Sequence, residues 1–156
     1  MTRIAVRMSS KKTYGVLVVD DSEDDRFFLK KALARGHRFH VLAELENGEE
    51  AAEYLAGRGK FHRREAPPLP DLLILDLKMP RMNGYELLQW LQSHPVPHMT
   101  VVVLSGSNLE GDVEMSMKLG AHGFWTKTSI AEHQWPPLHD IEALMDKREK
   151  EKPRDD

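Results

Sequence analysis

The chain predicts a parallel α/β fold, one sheet with helices on both faces. Two observations carry this. Short apolar runs alternate with amphipathic helical stretches along most of the sequence. Two of those runs also end on acids: Val16-Leu17-Val18-Val19 stops at Asp20-Asp21, and Leu72-Leu73-Ile74-Leu75 stops at Asp76. Strand interiors disfavour Asp, so these carboxylates belong at the end of a sheet rather than inside its core.

The elements follow in order. Residues 16–19 form the first strand. Ser22-Glu23-Asp24-Asp25 then resembles a capping box, and Phe28, Leu29 and Ala32 follow at helical spacing up to Gly36. Residues 39–43 read as a second strand, with Val41 and Ala43 pointing inward. Asn47-Gly48-Glu49-Glu50 caps a second helix carrying Ala51, Ala52 and Leu55. Residues 57–70 are a long, charged, proline-containing connection. The third strand covers 72–75. Pro80 and Gly84 shape the loop that follows it, where glycine supplies a backbone conformation other residues resist. A helix spans 84–93, with Leu87, Leu88 and Leu91 on one face.

Residues 99–104 form the fourth strand. Ser107-Asn108-Leu109-Glu110 is another capping box, and Val113 and Met117 continue an apolar stripe to Gly120. Residues 121–125 are a short fifth strand. Leu138, Ile141, Leu144 and Met145 mark a last helix, and from Asp146 onward a balanced charge run reads as a fraying, solvated end. The expected organisation is a flexible basic arm over 1–12, one domain over 13–147 and a charged tail over 148–156.

Composition excludes several classes of function. A chain of 156 residues with 40% hydrophobic and 30% charged residues fits one globular domain with a sizeable core. A net charge of −3 makes no general case for nucleic-acid binding. The chain contains no cysteine, which removes disulfides, thiolate nucleophiles and cysteine-ligated metals. No apolar stretch approaches the ~20 residues of a membrane span, and the first residues lack an apolar signal core. A cytoplasmic location is the expectation.

Five strand–helix units correspond to the flavodoxin-like, doubly wound sheet of order 2-1-3-4-5; that order comes from the fold family, not from the pattern. Strands one and three are neighbours in it, which brings Asp20, Asp21 and Asp76 together. Convergent carboxylates repel one another and call for a divalent cation, and an all-oxygen ligand set favours magnesium. Ser105 ends the fourth strand and Lys127 follows the fifth, so one sheet edge gains a hydroxyl and an ammonium. Three acids, a hydroxyl and a lysine are the parts of a phosphoryl-transfer site with a carboxylate nucleophile.

Here the chain resembles the receiver domains of two-component response regulators. The resemblance rests on Val18-Val19-Asp20-Asp21, on the run Asp76-Leu77-Lys78-Met79-Pro80-Arg81-Met82-Asn83-Gly84, on Leu104-Ser105, and on Gly120-Ala121-His122-Gly123-Phe124-Trp125-Thr126-Lys127. It implies that Asp76 is the phospho-acceptor. Asp21 would ligate Mg2+ directly, Asp20 through water, and the Lys78 backbone carbonyl would be a further ligand. Ser105 and Lys127 would hold the phosphoryl group, and Ser105 with Phe124 would form the switch. The long 57–70 insertion and the lack of an output segment resemble the small stand-alone receivers associated with bacterial phytochromes.

The resemblance implies a single-domain response regulator in a phosphorelay. Its partners would be a sensor histidine kinase or histidine phosphotransfer protein and a downstream protein, reached through the last two helices and the fifth strand. No nucleic acid or membrane is implied. Two departures stand out. Thr128 occupies the usual proline position, so the Lys127–Thr128 peptide should be trans, because cis costs ~3 kcal/mol without proline. Lys78 puts a cation beside the acceptor and bears on phosphoryl lifetime. Two other readings remain beside this one. A hydrolase with an aspartyl-phosphate intermediate would want a second acid where Lys78 stands. A partner-binding scaffold would dispense with phosphorylation. The histidines read as surface or packing residues, and the basic Phe61-His62-Arg63-Arg64 stretch as a solvated loop or a partner contact. Met115, Met117, Trp125 and Trp135 read either as core residues or as a dimer or partner face.

Overall fold

The computed structural model describes residues 11–62, 68–106, 110–127 and 137–153. Five strands form one sheet: β1 (Tyr14–Val19), β2 (Phe39–Leu45), β3 (Leu72–Leu75), β4 (Thr100–Ser105) and β5 (Gly123–Thr126). Five helices accompany them: α1 (Glu23–Arg35), α2 (Gly48–Ala56), α3 (Gly84–Ser93), α4 (Glu110–Lys118) and α5 (Leu138–Glu151). A 3-10 turn at Gly59–Phe61 gives the long connection its only regular piece among the described residues. The strand order is β2-β1-β3-β4-β5, with every pairing parallel.

Side-chain alternation divides the core between the two faces of the sheet. Leu17, Val19, Leu73, Leu75, Val101 and Val103 face one way and meet Ala51, Tyr54, Leu87 and Leu88 of α2 and α3. Val16, Val18, Leu72, Ile74, Val102 and Leu104 face the other way and meet Leu29, Leu33, Ile141 and Met145 of α1 and α5. The three central strands are buried along their whole length, as continuous apolar runs in a doubly covered parallel sheet require.

Several expectations change. Phe28 is 36% exposed; α1 turns Leu29, Ala32 and Leu33 inward, while Phe28 forms an edge-to-face pair with the exposed Phe27. On β2 the fully buried apolar residues are Phe39 and Leu45, while Val41 and Ala43 point inward as expected but are only half-buried against the core. A register shift opposite Val16 and Leu17 skips Leu42, a bulge that an edge strand tolerates. The α4 stripe is not a core stripe either, since Met115 and Met117 are 47% and 44% exposed and Ser116 is the buried residue of that helix.

The charge run after residue 145 does not fray at its start. α5 continues through Glu151, past the expected 147/148 boundary. Asp146 accepts from the Tyr14 hydroxyl at 2.7 Å and from Arg38 Nη2 at 2.6 Å, and Lys12 pairs with Glu149 at 2.9 Å. The end of α5 is thereby tied to the start of the sheet. The basic arm up to residue 10, Arg63, Arg64, the Ser107-Asn108-Leu109 cap, Thr128 and Trp135 lie outside the described residues.

Candidate functional site

The β1–β3 register pairs Val19 with Leu75, so Asp20 and Asp76 leave the sheet side by side. Backbone bonds hold both: Asp20 N–H donates to Leu45 O at 3.0 Å and Asp76 N–H to Val19 O at 3.0 Å. The Asp20 carboxylate accepts from Ser22 N–H at 2.9 Å, and the Asp76 carboxylate from Leu77 N–H at 2.8 Å. Asp20 and Asp76 are buried and Asp21 is exposed. One carboxylate oxygen from each of the three acids lies within 4.8 Å of the others.

Lys127 reaches this group from the end of β5. Its Nζ lies 2.6 Å from Asp20 Oδ2, 2.8 Å from Asp25 Oδ2 and 3.4 Å from Asp76 Oδ2. Lys127 N–H donates to Ser105 O at 2.6 Å, which locks the end of β5 to the end of β4. Ser105 is itself buried. Phe124 is half-buried and packs against the α2–α3 side of the core. An open cleft beside the acids is lined by Asp21, Lys78, Asn83, Tyr85, Ser105 and Asp112.

Four carboxylates around one ammonium leave the site net negative. Burial pushes Asp76 up to about 6; Lys127 opposes that and the nearby Asp20 adds to it. Asp20 is also raised, by burial, against the pull of Lys127. Burial alone would lower Lys127, but its bonds to Asp20 and Asp25 outweigh that and raise it. A cation already sits among these oxygens in the form of the lysine ammonium. An all-oxygen donor set of this charge fits a hard divalent cation, with Asp20, Asp21 and Asp76 as its holders.

The loop after Asp76 is built to tight tolerances. Arg81 takes the left-handed conformation, with φ of 64°. Gly84 is required for space instead: a Cβ there would stand 2.5 Å from the Asp76 carbonyl oxygen. Gly48 is similar, since its Cβ would meet the Met82 carbonyl at 2.5 Å, so α2 buttresses the same loop. Asn83 and Glu86 complete a reciprocal capping box on α3.

Sequence reasoning missed three residues at the site. The sequence pattern places Asp25 in a capping box. Its N–H does bond Ser22 Oγ at 3.2 Å, but its carboxylate turns to Lys127. The sequence signal was available: side chains in a first helical turn lean back toward the N-terminus, here toward Asp20. Arg26 is buried and donates to Asp20 O at 2.7 Å and to Glu44 at 3.1 Å, bracing the backbone of the site. Tyr85 donates a short hydrogen bond to Asp112, tying α3 to α4. Among the described residues, no histidine joins a group able to hold a metal; His94 stacks on Trp90 with ring centroids 4.3 Å apart.

Known proteins share this fold. Response regulator Rcp1 from Synechocystis is 30% identical over 130 residues, 83% of this chain and 86% of its own length. The nitrate/nitrite response regulator protein NarL of Escherichia coli is 32% identical over 136 residues. The match takes in 87% of this chain but only 58% of NarL. The Mn(2+)-bound form of Rcp1 matches with TM-score 0.66 and 26% identity, covering 88% of this chain and 90% of that one. The phosphorylated cyanobacterial phytochrome response regulator RcpA matches with TM-score 0.66 and 27% identity, over 88% and 90%. No helix among the described residues is long and apolar enough to cross a membrane. Residues 16–134 match the family model described as the response regulator receiver domain, and the chain belongs to that family.

Proposed function

We propose that the protein accepts a phosphoryl group on Asp76 from a sensor histidine kinase or a histidine phosphotransfer protein. The observation that carries this is the position of Lys127 Nζ, 3.4 Å from Asp76 Oδ2 within a cluster of acids. With its raised value near 6, Asp76 is mainly ionised at neutral pH and able to attack phosphorus. The P–N bond of the phosphohistidine breaks, and the departing imidazole takes up a proton. Mg2+, when bound by Asp20, Asp21, Asp76 and the Lys78 carbonyl, would neutralise charge on the phosphoryl oxygens. Lys127 and the Ser105 hydroxyl would hold the remaining oxygens.

The signal then leaves through the α4-β5-α5 face. Ser105 and Phe124 are proposed as the switch; Phe124 pairs in register with Val103, two residues before Ser105. Exposed Met115 and Met117 on α4 suit an adaptable contact with a downstream protein or a second copy. Likeness to RcpA, and to response regulator RPA3017 in red light signaling of R. palustris (TM-score 0.68, 27% identity), supports a phytochrome-type kinase as the donor. Incubation with Mg2+ and labelled acetyl phosphate should give one aspartyl phosphate. Labelling of Asp76→Asn as strong as that of the wild type would overturn the assignment.

A further inference from the structure

We infer that Asp25 is a positioning residue, a second seat for the Lys127 ammonium when a divalent cation takes Asp20 and Asp76. The inference rests on the metal-binding part of the reading above, in which the three acids take a divalent cation.

Lys127 Nζ now lies 2.6 Å from Asp20 Oδ2 and 3.4 Å from Asp76 Oδ2. Those residues are two of the three holders of any metal at this edge. A dication among the same oxygens repels the ammonium strongly at such separations. The lysine must therefore give ground. Its side chain is only 14% exposed, so retreat into bulk water would require the end of β5 to open.

Asp25 offers a place to go without that opening. Its Oδ2 is already 2.8 Å from Nζ, and it stands outside the three-acid group. It sits in the first turn of α1, with its N–H fixed on Ser22 Oγ at 3.2 Å. The carboxylate is therefore held by a helix terminus rather than by the metal loop. When the cation arrives, Lys127 exchanges three partners for one and stays beside the acids. Asp25→Asn offers the lysine only a neutral amide oxygen in place of the carboxylate, so lysine and metal then compete more directly for the remaining acids.

The test is a double-mutant cycle on Mg2+ affinity, measured by calorimetry for wild type, Asp25→Asn, Lys127→Ala and the double variant. Asp25→Asn should weaken magnesium binding about three- to tenfold. Lys127→Ala should tighten it. In the Lys127→Ala background the Asp25 change should matter less than about twofold. Asp25→Glu, which keeps the carboxylate, should bind within about twofold of wild type and controls for folding of α1. Equal affinity of Asp25→Asn and wild type overturns the inference. So does equal weakening in both backgrounds, which would mean that Asp25 acts only as distant charge. Wild type that binds no Mg2+ overturns it as well. Wild type that binds Mg2+ but takes no label from acetyl phosphate on Asp76 defeats the acceptor reading instead and leaves the lysine seat standing.

Discussion

The Asp76 carbonyl oxygen and Gly84 touch with no space for a side chain between them, since a Cβ on Gly84 would stand 2.5 Å from that oxygen. Gly84 N–H also donates to Leu77 O at 2.9 Å, so the first turn of α3 is fastened to the residue that follows Asp76. Gly84→Ala must move either the helix or the Asp76 backbone. It should cost about 1–3 kcal/mol in urea unfolding and slow acetyl phosphate labelling. An unchanged urea midpoint would show that the loop yields freely.

Asp76 also sets a pH dependence in the metal-free protein. Its folded value near 6 lies above the unfolded value near 4, so the folded state binds this proton more tightly. The stabilising contribution is complete below the unfolded value and lost as the pH rises through about 6. At pH 7 the buried ionised carboxylate is therefore a cost. Asp76→Asn should be more stable than metal-free wild type at pH 7 by roughly 2 kcal/mol, and that advantage should shrink as the pH is lowered to about 5. Denaturant titrations at both pH values check this; equal stability at pH 7 would refute it.

Magnesium should stabilise the fold by mass action. At a hundred times its Kd the gain is about 2.7 kcal/mol, reversed by a chelator. Asp21 is the exposed acid of the cluster, so its replacement should spare the apo protein. Asp21→Asn should unfold like wild type without magnesium and lose most of the magnesium-induced rise in Tm. A full rise in the variant would remove Asp21 from the metal site.

The Arg38–Asp146 pair closes the opposite end of the sheet. The Arg38 guanidinium, aided by the Tyr14 hydroxyl, holds Asp146 below its ordinary value against some burial. This contribution is present above the unfolded carboxylate value and lost as the pH falls through the lower folded one. Asp146 is 46% exposed, so solvent screening limits it to about 1 kcal/mol. Asp146→Asn should cost that much at pH 7, and the difference from wild type should narrow in acid below the ordinary carboxylate range.

Much of this was legible in the sequence because the central strands bury both faces. Such strands appear as unbroken apolar runs, and an acid that ends one stands out, as Asp20 and Asp76 do. Partly buried elements were harder. Phe28 and Leu29 are neighbours on α1, and composition alone does not say which of them turns inward; the larger one faces solvent. The bulge in β2 shifts its pattern by a residue, which hides Leu45 behind Val41 and Ala43. Asp25 was masked by its second role, because the same acid that belongs to a helix cap also grips a lysine 102 residues away. Tyr85 and Asp112 are 27 residues apart on different helices, and no local pattern links them.

α4 buries a single residue, Ser116, and is joined to α3 through the Tyr85–Asp112 bond. An element with so little packing at stake opens at low free energy, so its backbone amides should exchange with solvent well before those of β1, β3 and β4. Little packing opposes a change in its position, so a chemical event of a few kcal/mol at the sheet edge should be enough to move such a helix while the three fully buried strands keep their shape.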